Sequence, residues 1–337
     1  MNTSRFDQLD GLRAFAIFLV VASHTSAFGL KGQGGIGVAI FFVLSGFLLV
    51  LPGQQDGEER FCSPSSVFSF YLRRILRLLP TYYLVIFTVY WLTDSHENLL
   101  GNLFFFNCQG HLWYLQQELL FCAIAPFLMM LLHFLKTKGK FNNLAVFFFL
   151  LILACLSQRY LSADVFSLSR HGARQPFRLA LFLVGMAFGY LYKYGTFSAI
   201  RTTLGRHAAD VVCLLLLFAS IFSAPSFLGK CNPLFSSYYI GWDRPLLCAV
   251  ASGVFLFLLL ANPAGITARI FQIRPFVMIG KVSYGIYLVH FFLISYADFS
   301  TPSRVFCAVF FTSLGIAMLL HEWVEKPLQK LCLKLTK

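Results

Sequence analysis

Ten stretches of mostly apolar residues set the limits on what this chain can fold into. They lie at roughly 12–28, 36–51, 71–92, 113–134, 141–157, 177–194, 209–224, 244–262, 279–297 and 304–322. A bilayer core about 30 Å thick takes about 20 such residues per helix. None of the stretches shows the period-2 alternation of an outer-membrane barrel, so helices are the better reading. The shorter, more polar ones also admit a reading as re-entrant or buried helices. Of the 337 residues 58% are hydrophobic and 12% charged, about half the charged fraction of an ordinary soluble domain. Such a composition excludes a disordered chain, a disulfide-stapled module and a soluble enzyme. The expected fold is all-α, a polytopic transmembrane bundle of about ten spans forming one domain over residues 1–337.

The charge is lopsided, with 27 Lys and Arg against 14 Asp and Glu. With the N-terminus inside, 19 of the 27 basic residues sort to cytoplasmic loops, which predicts both termini in the cytoplasm. The net +13 is therefore a topology signal and not the footprint of a nucleic-acid partner. One loop dissents: Arg159, Arg170, Arg174 and Arg178 fall on the nominal outside. They read either as an ordinary basic loop beside a miscounted span or as a surface for an acidic acceptor or anionic headgroups.

Residues 1–25 carry a short apolar run, but Asp7 and Asp10 precede it and many spans follow, so a retained first helix is expected rather than a cleaved signal. The nine cysteines show neither C-x-x-C nor Cys/His ligand spacing, and no metal site is expected. Cys108 and Cys231 fall in predicted external loops and could pair.

Ionisable residues inside spans cost about 2.5–3.5 kcal/mol each on insertion scales, so each asks for an explanation. Arg13 and His24 in the first span are eleven steps apart. On a helix that is about 20° past three full turns and about 16 Å along the axis. Arg13 then lies at the cytoplasmic mouth and His24 deep in the membrane on the same stripe. A packing histidine and a snorkelling arginine are the plainer alternatives. Arg73, Arg74 and Arg77 open the third span at i,i+3 and i,i+4 spacings. Such a cluster suits a polyanion, since guanidinium groups bind phosphate oxygens bidentately, or serves as an interfacial anchor. Glu118 lies one to two turns into the fourth span and needs either an ion-pair partner or a role in proton chemistry.

These residues recur in an ordered set. Arg13-x10-His24, Gly34-Gly-Ile-Gly-Val-Ala-Ile-Phe-Phe-Val-Leu-Ser-Gly-Phe47, Arg73-Arg-x-x-Arg77-x-x-Pro80-x-Tyr82, Trp113-x-Leu-x-x-Glu118, Gly280-Lys-Val-Ser-Tyr-Gly-Ile-Tyr-Leu-Val-His290 and Glu325-Lys-Pro327 follow one another along the chain. In that order they resemble the acyltransferase-3 family of integral-membrane enzymes, which O-acylate bacterial envelope glycans. The resemblance runs from about residue 5 to 330. Family members commonly carry Ser near the Tyr114 and Gln116 positions, a departure that leaves Glu118 in place. Many relatives add a C-terminal extracytoplasmic hydrolase-like domain, and the expectation here is the stand-alone type.

The resemblance implies an O-acyltransferase, most simply an O-acetyltransferase, in the bacterial inner membrane. It implies no permanently bound cofactor, with acetyl-CoA or another acyl-CoA as donor substrate. The acceptor would be an envelope or lipid-linked glycan such as lipopolysaccharide O-antigen. Arg13, Arg73, Arg74 and Arg77 would hold the donor phosphates. His24 would act as general base or be acylated itself, and Glu118 would orient it as the third member of a triad does. Ser45, Tyr82, Tyr287 and His290 are candidate pore-lining residues, Ser45 being equally readable as a close-packing residue beside Gly46. Arg170, Arg174 and Arg178 are candidates for the acceptor side. The sequence is compatible with a homo-oligomer. A transporter or flippase of a lipid-linked glycan or small anionic solute is the rival function, although no internal repeat supports it.

Overall fold

The computed structural model describes residues 6–51, 59–93, 98–106, 108, 110–139, 141–161, 178–194, 203–222 and 245–335. The elements are α1 Asp7–His24, α2 Gly34–Val50, α3 Pro64–Thr93, α4 Leu99–Leu103, α5 Trp113–Thr137, α6 Asn143–Tyr160, α7 Leu179–Tyr194, α8 Thr203–Phe222, α9 Pro245–Ala261, α10 Ile266–Phe271, α11 Arg274–Lys281, α12 Ser283–Ile294, α13 Pro302–Leu320 and α14 Lys326–Leu335. No strand occurs among the described residues. An apolar all-helical bundle of this kind is the architecture of a multi-pass protein of the bacterial inner membrane.

Each of the ten apolar stretches holds a helix among its described residues, but they are not ten equivalent spans. Five helices are long and apolar enough to cross a membrane: Pro64–Thr93, Gly110–Thr137, Asn143–Tyr160, Gly205–Phe222 and Pro302–Leu335. The ninth stretch is broken, because α11 and α12 meet at 71° where Val282 leaves helical geometry (φ −102°, ψ 8°). Counted as one span, that pair makes six. The last helix runs on past the predicted stretch through a π-helical turn, His321–Glu325, into α14.

Burial separates a centre from a periphery. In α2 and α7 nearly every residue is buried, as expected of helices apolar all round. By contrast α3, α5, α6, α8 and α13 turn large apolar side chains outward, among them Phe87, Trp91, Phe127, Phe148, Leu215 and Phe311. These are lipid-facing positions.

The central contacts are backbone to backbone. A Cβ on Gly46 would strike the carbonyl of Phe182, and one on Gly185 the carbonyl of Val43, so α2 and α7 interlock through reciprocal glycines. Likewise α1 meets α10 and α11, with Gly11 against the Phe271 carbonyl and Gly280 against that of Asp10. With lipid as solvent, such close approach supplies the dispersion energy that hydrophobic burial supplies in water. Gly46→Ala and Gly185→Ala should each destabilise the detergent-solubilised protein by roughly 1–3 kcal/mol, read as a lowered thermal midpoint. Gly315, with no atom within 4 Å of its added Cβ, is the control, and Gly315→Ala should leave the midpoint unchanged or slightly raised.

Candidate active site

The helices enclose a cavity of about 1460 Å³ lined from α1, α2, α3, α5, α11, α12, α13 and α14. It collects the charges that the sequence scatters. Arg13, Arg73, Arg74 and Arg77 all line it, with Ser45, Tyr114, Glu118, Lys281, Tyr287, His321 and Glu325.

Most of these charges are paired. Arg13 donates to Asp10 Oδ1 at 2.5 Å, one turn back on α1. Glu118 is almost fully buried, and its Oε1 accepts from Ser45 Oγ at 2.7 Å and Arg74 Nη1 at 3.2 Å. Its Oε2 accepts from the Tyr114 hydroxyl at 3.4 Å. On the far wall Glu325 Oε2 meets His321 Nδ1 at 2.6 Å across the π-turn, and Lys326 pairs with Glu322. Arg73, Arg77 and Lys281 have no carboxylate within ion-pair distance among the described residues. Three cations therefore line the cavity without a direct ion-pair partner.

A second cluster forms around the last residue of α1. His24 Nδ1 lies 2.9 Å from Nε2 of His290 on α12. The ring planes differ by 6° and the centroids are 5.2 Å apart. Together with the short N–N distance, this sets the rings edge to edge in nearly one plane rather than face to face. His24 is exposed, whereas His290 has no accessible surface. Directly after His24 the chain turns through Ser26 (φ 55°) and Phe28 (φ 54°), two left-handed non-glycine residues of the kind that tight functional turns hold under strain. The Ser23 hydroxyl accepts the Gly32 N–H at 2.9 Å and ties this loop back to α1.

Tyr287 links the two regions. It lines the cavity, its hydroxyl donates to the His111 carbonyl, and its ring is 5.7 Å from that of His290 and 5.1 Å from that of Tyr114. His111 packs edge-on to His290 at 5.2 Å and directs its Nε2 at the Leu288 carbonyl. Among the described residues no group of three or more His, Cys, Asp or Glu is placed to hold a metal ion.

Several expectations need correction against this geometry. Glu118 does not touch His24, whose partner is His290. The reason is position along the chain: His111, in the 3₁₀ turn just before α5, is beside His290, and Glu118 lies seven residues further on, about 10 Å at helical rise. Tyr82 does not line the cavity. It is fully buried and its hydroxyl donates to the Asn102 carbonyl at 2.9 Å. His290 is likewise buried behind Tyr287 and not on the cavity wall. Ser45 faces Glu118, and the close packing beside it belongs to Gly46. Arg178 is buried, its backbone N–H held by Gln117 Oε1 at 2.9 Å, so it offers no exposed acceptor surface. Arg170, Arg174 and Cys231 lie outside the described residues.

Sequence reading missed His111, Lys281 and the His321–Glu325 pair. Tyr114, near which family members commonly carry Ser, is part of the cavity wall. The available signal for His111 was its type alone, a histidine at the head of an apolar helix.

Inside this polytopic helical bundle, a cavity lined by cations is bounded by Tyr287, whose ring packs against His290, the partner of His24. The chain belongs to the acyltransferase-3 family, whose Acyltransferase domain matches residues 6–322. It is 27% identical to the Peptidoglycan O-acetyltransferase OatA of Listeria monocytogenes over 96% of this chain and 55% of that protein. It is also 27% identical to "Putative peptidoglycan O-acetyltransferase YrhL" of Bacillus subtilis, over 95% of this chain and 54% of the other. The chain thus spans about half the length of the curated relatives it matches. No solved structure gives a significant match.

The Arg74–Glu118 pair bridges α3 and α5, with Glu118 almost fully buried and Arg74 partly so. Removing either partner strands the other, so Arg74→Ala and Glu118→Ala should each cost about 3 kcal/mol. The double variant should be less destabilised than the sum of the two by roughly 0.5–3 kcal/mol. Thermal unfolding of the four proteins in one detergent checks this.

Proposed function

We propose that this protein is an O-acyltransferase, acetyl being the simplest group, that takes acyl groups from cytoplasmic acyl-CoA and transfers them to a hydroxyl of a bacterial surface polysaccharide. The topology that goes with this reading is ten membrane-crossing or membrane-embedded segments with both termini in the cytoplasm. The observation that carries it is the cavity with Arg73, Arg77 and Lys281 lacking carboxylate partners. Arg73 and Arg77 are exposed at the cavity wall, where their guanidinium groups, with the Lys281 ammonium lining the same cavity, suit the phosphates of coenzyme A. At about 1460 Å³ the space exceeds the roughly 300–1,000 Å³ of ordinary small-molecule sites, which suits a long donor.

In this reading the phosphates rest on the Arg73–Arg77 face and the thioester arm extends past Tyr287 toward His24. His24 Nε2 takes the proton of the acceptor hydroxyl while its oxygen bonds to the thioester carbonyl carbon. The C–S bond then breaks, and the thiolate leaves with the proton that His24 held. Glu118 contributes by holding Arg74 and Ser45 at the cavity wall. The acceptor is a glycan of the cell surface, of which lipopolysaccharide O-antigen is one candidate. The peptidoglycan in the names of the two relatives is another.

Cells expressing the protein should move label from acetyl-CoA to surface polysaccharide, and His24→Ala should abolish the transfer. Equal labelling by both proteins would remove His24 from the mechanism. Arg73→Ala combined with Arg77→Ala should weaken coenzyme A binding by at least tenfold, measured as a reduced coenzyme A-induced thermal shift. An undiminished shift would contradict the phosphate site.

A further inference from the structure

Hydrogen-bond directions around His290 determine more than its burial. Its Nδ1 faces two backbone carbonyls of its own helix, Tyr287 at 2.7 Å and Ile286 at 3.2 Å. A carbonyl oxygen only accepts, so a neutral His290 must carry its proton on Nδ1 and present a lone pair at Nε2. That lone pair points at His24 Nδ1, 2.9 Å away in nearly the same ring plane, and the contact is a hydrogen bond only if His24 Nδ1 carries the hydrogen. The chain of donors therefore runs from His24 to His290 to the α12 backbone. In a neutral His24 this leaves Nε2 unprotonated, with no hydrogen-bond partner among the described residues.

We propose that His290 is a positioning residue that fixes His24 as its Nδ1–H tautomer, and so keeps Nε2 free to accept the hydroxyl proton. This inference rests on the reading of His24 as the base. It assigns to a neutral histidine, with a backbone carbonyl behind it, the task that a carboxylate performs in a Ser-His-Asp triad. The surroundings enforce the geometry. Phe291 stands edge-on to His24 at 5.5 Å, and His111 and Tyr287 pack on His290. Because His290 is neutral, it can sit fully buried among apolar groups without the desolvation cost of a buried carboxylate.

The test combines a spectroscopic readout with conservative replacement. Protein labelled with ¹⁵N in its histidine rings, in lipid bilayers, reports by NMR which ring nitrogen of His24 is protonated, with His24→Gln used to identify its signals. The wild type should show the proton on Nδ1. His290→Phe removes the acceptor and should shift His24 toward the Nε2–H form. His290→Gln places a carbonyl oxygen near the lost Nε2 and should retain Nδ1–H. Acyl transfer should fall by about 100-fold or more in the Phe variant and stay within about tenfold of wild type in the Gln variant. A wild-type His24 protonated on Nε2, or one tautomer shared by wild type and Phe variant, would overturn the proposal. The wild-type spectrum decides even if the Phe variant does not fold. If His24→Gln still transfers acyl groups while the NMR pattern holds, the base reading fails and the tautomer assignment is supported.

Discussion

The rest of the structure depends on the close approach of α1 to the α10–α11 segment through Gly11 and Gly280. A side chain at either glycine would collide with backbone, so the helices have one register in which they fit. With that register set, α12 leaves α11 at 71° and carries His290 to the end of α1, where His24 is. The same contact holds Asp10 and Arg13 against the segment that supplies Lys281. The reciprocal glycines of α2 and α7 do the equivalent for Ser45, whose neighbour Gly46 is clamped on α7 while Ser45 itself turns to Glu118.

On this frame the charges that line the cavity divide into two kinds. Some are structural pairs, Arg13 with Asp10, Arg74 with Glu118 and His321 with Glu325, each satisfying the desolvation that a lone charge would suffer. Others, Arg73, Arg77 and Lys281, face the cavity without such partners. An arginine triplet on one helix end thus splits into one strut and two groups available to a ligand. Tyr114 and Tyr287 stand between this cavity and the histidines, so the regions proposed for donor binding and for proton transfer adjoin in one bundle.

Much of the fold was legible because lipid is an undemanding solvent to read. The ten apolar stretches all became helices, since length and hydropathy suffice to identify them. The Arg13–His24 stripe also follows from spacing alone, because both residues belong to one helix, α1. What periodicity could not show was how far each helix serves as a lipid-facing span. The segments α2 and α7 are short and buried on all sides, and the ninth stretch breaks at Val282. Glu118 illustrates the limit at the site. Its burial in an apolar helix was evident, but its partner was not, because Arg74 and Ser45 come from helices whose rotation about α5 no local pattern encodes.

The sequence by itself determined an all-helical membrane bundle, its family, and the few ionisable residues that must matter because burying them in apolar surroundings is expensive. Tertiary structure alone decided which of them meet. It set His290 rather than Glu118 on His24, turned Tyr82 away from the cavity, and brought His111, Lys281 and the π-turn of the last helix to the site. The physical reason is that hydrogen-bond partners lie far apart in the chain, 266 residues for His24 and His290. Only the glycine-set packing of whole helices brings such groups within 3 Å of each other.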